Sequence, residues 1–162
     1  MNNHRNDQGT VVRSACEKDI DEVLEIERLS FSAPWTNHVF KLSLNDLFIV
    51  CEQKEILGYL IACLCETQKK GVILKIAVHP DHRRKGVAKA LLKKSIQMIA
   101  EEDVGEIELD VEMYQRGAVK LYKDFGFKIG RIAQFMGALA EDYETFYVMT
   151  LTLPESESKG KR

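Results

Sequence analysis

The chain has 162 residues, 45% hydrophobic and 30% charged, which is the balance of one folded domain with its own core and excludes a disordered or fibrous chain. Lys plus Arg total 23 against 25 Asp plus Glu, a formal net charge of -2, which argues against a protein that holds nucleic acid by bulk phosphate neutralisation. No apolar run approaches the ~20 residues that span a bilayer, and the opening MNNHRNDQG has no signal-peptide core, so the expectation is a cytoplasmic protein without membrane association.

Residues 1–9 and 154–162 are polar and aperiodic and read as flexible termini around a single domain at 10–153. Thr10–Ala15 reads as a short strand, and Ile20, Val23, Leu24 and Ile26 then recur at helical spacing as far as Ser30. Pro34 interrupts, and Thr36 can cap a second short helix carrying Val39, Phe40, Leu42 and Leu44. Runs 47–53 and 56–66, joined at Lys54-Glu55, predict an antiparallel hairpin. Cys63 and Cys65 share one face of its second strand and read as small core residues. A β-branched run, Val72–His79, stops at Pro80-Asp81 and is followed by an amphipathic helix from about Gly86 to Ala100. Ile107, Leu109 and Val111 alternate with Glu106, Glu108, Asp110 and Glu112, as in a half-buried strand with an acidic outer row. A short helix at Ala118–Phe125 ends at Gly126, and 127–135 with 145–153 predict a closing hairpin across a loop at Gly137–Tyr143. The order of elements indicates one mixed α/β (α+β) sheet with helices on both faces.

The four cysteines lack zinc-site spacing and His79-Pro80-Asp81-His82 lacks further ligands, so no metal is expected. The informative segment is Val78–Ala88, where a strand ends and a basic, glycine-containing turn opens a helix. Unpartnered amides at a helix start, Gly86 and the charges of Arg83, Arg84 and Lys85 make an anion site suited to a diphosphate. A plain basic loop at a helix start is the equal alternative on this pattern alone.

R-x-x-G-x-A at Arg83–Ala88 after a strand resembles the acetyl-CoA-binding motif of the GNAT superfamily of N-acetyltransferases. Three further blocks are similar to the ribosomal-protein alanine N-acetyltransferases within it: I-E-x-x-S-F-x-x-P-W at Ile26–Trp35, I-A-V-x-P at Ile76–Pro80, and L-Y-x-x-x-G-F at Leu121–Phe127. The resemblance runs from residue 10 to about 152. It implies a GNAT fold, with a mostly antiparallel sheet of about six to seven strands, and acetyl-CoA as cosubstrate. It also implies that Ile76, Ala77 and Val78 offer backbone groups to the pantetheine and that Arg83, Arg84, Lys85, Gly86, Val87, Ala88 and Lys89 form the pyrophosphate turn. Tyr122 matches the family's general acid; otherwise it is a core tyrosine. Asp110 falls where the family has a glutamate base, one methylene shorter, which favours a water relay. Gln115 replaces an asparagine and can still reach the coenzyme or reaction centre. The paired tyrosines that many peptide N-terminal acetyltransferases carry in the closing hairpin have no clear match, and Phe135-Met136 stands nearest.

The acidic row suits a protonated amine acceptor, or else is a solvated edge. The resemblance implies acetyl transfer to the α-amine of a protein N-terminus, with the N-terminal alanine of ribosomal small-subunit protein eighteen, or a similar N-terminus, as the first-choice acceptor. The alternatives are acetylation of lysine side chains or small polyamines, and a non-catalytic acyl-CoA-binding module.

Overall fold

The computed structural model describes residues 9–136 and 143–155. Most of both ends expected to be flexible, and most of the loop expected at Gly137–Tyr143, lie outside the described residues. Seven strands form one sheet: β1 (Val11–Ser14), β2 (Leu47–Glu52), β3 (Ile56–Cys65), β4 (Lys70–Val78), β5 (Glu106–Glu112), β6 (Lys128–Met136) and β7 (Tyr143–Thr152), in the order β1-β2-β3-β4-β5-β7-β6. The β4–β5 pair is parallel, whereas β1–β2, β2–β3, β5–β7 and β6–β7 are antiparallel. The helices are α1 (Ile20–Ser30), α2 (Asn37–Ser43), α3 (Val87–Ala100) and α4 (Arg116–Asp124), with single 3₁₀ turns at Glu17–Asp19 and Pro80–His82. This is the mixed, mostly antiparallel sheet expected, with seven strands.

The chain divides into two compact units, one running to Ala62 and resuming over Lys75–Ser95, the other made of Cys63–Leu74 and the residues from Ile96 onward. In the first unit, side-chain alternation along β3 separates two faces. Tyr59 and Ile61 join Phe48, Val50, Ile20, Val23, Ile26 and Phe40 in one buried cluster under α1 and α2. Phe40 and Tyr59 meet edge to face with centroids 5.6 Å apart. Gly58 faces the other way, toward α3, where a Cβ would lie 2.8 Å from the Ala77 carbonyl oxygen and 3.0 Å from Val87 Cγ1. Only glycine permits that approach of helix to strand. Thr36 caps α2 as expected, its hydroxyl accepting the Val39 amide.

Glu27 lies on the buried stripe of α1 and is fully buried. Its carboxylate accepts the Tyr59 hydroxyl, the Lys75 ammonium and the Trp35 backbone amide. The Lys75 ammonium also sits over two rings, 4.2 Å from the Phe31 centroid and 4.3 Å from that of Trp35. Arg13 ties β1 to the turn before α1 through Asp19 and reaches Glu52 on β2, and it holds the Asp19 carboxyl down at about 2.

In the second unit Ile107, Leu109 and Val111 are buried along β5, as the alternation predicts. The solvated-edge reading of this strand is corrected: β5 has β4 on one side and β7 on the other. Gly126, at φ +97°, ends α4 with the Phe127 amide bonded back to the Tyr122 carbonyl and the Gly126 amide to that of Lys123. Cys63 and Cys65 are half-buried rather than core residues, because burial along β3 ends at Ala62.

Gly58→Ala is expected to cost about 1–3 kcal/mol, since the clash is with backbone as well as with a side chain. The check is a lower urea midpoint at unchanged slope.

Candidate functional site

The basic turn belongs to the first unit. β4 ends at Val78, and the Pro80–His82 turn follows, with the His79 ring nitrogen accepting the Asp81 amide and the His79 amide fixed to the Leu57 carbonyl. Arg84 (φ +60°) and Gly86 (φ +84°) are both left-handed, and Lys85 between them is not. Alternating φ signs turn successive amides toward one side, the concavity that receives anionic oxygens. The first backbone bond of α3 runs from the Ala90 amide to the Gly86 carbonyl, so the amides of Val87, Ala88 and Lys89 precede the helical ladder. Nothing lies within 4 Å of where a Gly86 Cβ would stand, so the mouth of the turn is open. Arg83, Arg84, Lys85 and Lys89 are all exposed.

Arg83 behaves differently from its two basic neighbours. Its Nε donates to the Val78 carbonyl at 3.0 Å and a terminal nitrogen donates to the Ser30 hydroxyl at 3.3 Å. On β4, Ala77 is buried and Ile76 and Val78 are half-buried. The parallel ladder of β4 with β5 runs over Lys70–Ile73 opposite Glu106–Leu109, and β4 continues five residues further.

Asp110, Gln115 and Tyr122 belong to the second unit. Lys70 pairs with Glu106 at 3.2 Å and Glu108 at 2.9 Å, and the Gln115 amide stands 3.4 Å from a Glu112 oxygen. Two of the four carboxylates thus share one lysine, which the sequence reading did not connect to the row. Asp110 pairs with Val148 on β7, and Val148 pairs with Arg131 on β6, which sets the two charges in one cross-strand row. Asp110 is exposed on the row; desolvation and then Glu108 push its carboxyl above its ordinary value, while Arg131 pulls it back. Tyr122 is buried with its ring edge-to-face on Phe127, centroids 5.9 Å apart, and burial pushes its phenol up to about 12. Gln115 is the exposed N-cap residue of α4.

The Glu27–Lys75–Tyr59 cluster went unread in the sequence. Two signals for it exist: Glu27 falls on the apolar stripe of its helix, three residues after Leu24, and Lys75 interrupts the run VILKIAVH.

The Acetyltransferase (GNAT) family matches residues 20–127, from the start of α1 through Tyr122 to Phe127. The chain belongs to the GNAT acetyltransferase family. As such it is an N-acetyltransferase. An N-alpha-acetyltransferase of Sulfurisphaera tokodaii is 30% identical over 146 residues, covering 81% of this chain and 87% of that protein. The ribosomal protein bS18-alanine N-acetyltransferase of Escherichia coli is 23% identical over 138 residues, covering 83% and 92%. The crystal structure of that Escherichia coli enzyme superposes with a TM-score of 0.81 at 21% identity, over 94% of this chain and 99% of the other. The GNAT fold also superposes on yncA of Salmonella typhimurium, solved with its cofactor acetyl-CoA, with a TM-score of 0.74 at 18% identity over 94% and 98%. Both superpositions are likenesses of fold.

The row geometry makes a prediction for Asp110 that needs no substrate. Its carboxyl, followed by carbon-detected NMR, titrates above the usual aspartate value. Glu108→Gln lowers the midpoint and Arg131→Gln raises it; an ordinary midpoint insensitive to both would refute the row.

Proposed function

We propose that this GNAT protein transfers acetyl from acetyl-CoA to the α-amine of a protein N-terminus, with the N-terminal alanine of ribosomal protein bS18 as first-choice acceptor. The near-full-length match to the Sulfurisphaera tokodaii N-alpha-acetyltransferase carries the α-amine reading, and the name of the Escherichia coli relative supplies the acceptor. Acetyl-CoA supplies an acyl carbon activated as a thioester. On this reading the amides of Arg84–Lys89 and the charges of Arg84 and Lys85 hold its pyrophosphate, as the alternating φ values and open mouth of the turn support. Backbone groups of Ile76, Ala77 and Val78 align the pantetheine, and an amide near Val78 polarises the carbonyl.

The amine nitrogen forms a bond to the acyl carbon as the carbon–sulfur bond breaks. Asp110, directly or through one water, takes the proton that the amine loses, and Tyr122 gives its phenolic proton to the departing sulfur. The directions of the two shifts suit these tasks. A raised Asp110 pKa makes a better acceptor, and a Tyr122 phenol near 12 stays protonated throughout the physiological range. The sign follows: activity falls as the pH drops through the raised Asp110 pKa and shows no Tyr122 limb below about 12. Gln115 stands beside Glu112, within reach of the same row by way of α4. A polyamine acceptor is less favoured than the sequence implied, because Lys70 already occupies Glu106 and Glu108.

Acetyl-CoA is expected to raise the melting temperature in proportion to the logarithm of its concentration, and Gly86→Val to remove that shift, since a β-branched residue does not adopt φ +84°. No shift at millimolar coenzyme would overturn the reading. Tyr122→Phe keeps the ring packing and is expected to lower kcat roughly ten- to a thousandfold with coenzyme affinity intact. The acceptor is decided by mass spectrometry on peptides with a free alanine N-terminus against blocked peptides carrying lysine. Acetylation of the blocked set alone would replace the α-amine with a side-chain acceptor.

A further inference from the structure

Among the three consecutive cations of the basic turn, only Arg83 is turned back into its own unit. Its guanidinium spans two oxygens, the Val78 carbonyl at the end of β4 and the Ser30 hydroxyl at the end of α1. Ser30 is the last residue of α1, and the irregular segment that follows it to Trp35 meets β4 a second time where Lys75 sits over the rings of Phe31 and Trp35. Segment 30–35 is therefore fastened at both ends to the strand that carries Ile76–Val78. A guanidinium has the planar fork needed to hold two oxygens at fixed separation, and a lysine ammonium does not.

We infer that Arg83 is a positioning residue rather than a pyrophosphate ligand: it clamps the end of β4 to segment 30–35 and so keeps the Val78 backbone and the half-buried Phe31 and Trp35 of that segment in one register. Its effect on catalysis rests on the acetyl-transfer reading above; the clamp itself does not.

The test compares Arg83→Gln, Arg83→Lys, Ser30→Ala and Arg84→Gln with the unmodified protein. In coenzyme-free protein, exchange of the hydrogen-bonded Phe31 and Trp35 amides quickens about three- to tenfold in both Arg83 variants and, to a lesser extent, in Ser30→Ala, and is unchanged in Arg84→Gln. Titration with coenzyme A gives a Kd within about threefold of the unmodified value for Arg83→Gln. For Arg84→Gln the affinity drops roughly tenfold and its salt dependence weakens, as removal of a phosphate contact requires. At saturating coenzyme, kcat falls about tenfold in Arg83→Gln and lysine at this position does not restore it. Unchanged amide exchange in Arg83→Gln overturns the clamp. So does a tenfold loss of coenzyme affinity in Arg83→Gln that Arg83→Lys fully repairs, because a point charge then suffices. Failure of the unmodified protein to bind coenzyme at all would overturn the acetyl-transfer reading, and the exchange rates would still decide the clamp.

Discussion

A single carboxylate with no exposure to solvent organises the first unit. Glu27 belongs to α1, yet its three donors come from β3, β4 and the segment before α2. A carboxylate left alone in such surroundings costs several kcal/mol, so the elements that bring Tyr59, Lys75 and the Trp35 amide to it are held by the penalty of letting go as much as by attraction. The Tyr59 phenol is pushed well above its ordinary range by burial and then by that bond, which keeps it a donor. Lys75 balances the charge, and the rings of Phe31 and Trp35 shelter its ammonium. The apolar cluster of Phe40, Phe48 and Tyr59 is built around this polar centre.

The second unit is organised by pairing instead. β5 is bonded on both sides, and the β-branched and leucine side chains of its inner face leave the carboxylates on the other. Along that outer row the neighbours change: Lys70 is shared by Glu106 and Glu108, Arg131 is near Asp110, and Gln115 is at Glu112. Four acidic residues that look equivalent in the sequence thus fall into three different settings in the fold, and their partners on neighbouring elements make the difference.

Most of the element order was legible in the chain because hydrophobic period and turn residues are local signals. The Thr36 cap, the glycine closing α4 and the alternation along β5 each come from a few adjacent residues. Boundaries moved by one or two positions, as at α4, which begins at Arg116 rather than Ala118, because helix ends answer to hydrogen bonds that periodicity does not see. The basic turn was also legible, yet three adjacent cations gave no means of telling Arg83 from Arg84, because the partners of Arg83 are five and 53 positions away. The same applies to Lys75, 48 residues from Glu27, and to Lys70, 38 from Glu108. Charges settled by long-range pairing were read as solvated or as substrate-facing, and the burial of Cys63 and Cys65 was overestimated where β3 leaves the core.

The chain has one tryptophan, and it is Trp35, whose indole lies against the Lys75 ammonium. Its emission therefore originates in the first unit, beside the charge cluster. A fluorescence melting curve of this protein follows the release of the Glu27 centre, and cooperativity across the whole chain has to be judged by a probe that samples both units, such as far-ultraviolet circular dichroism.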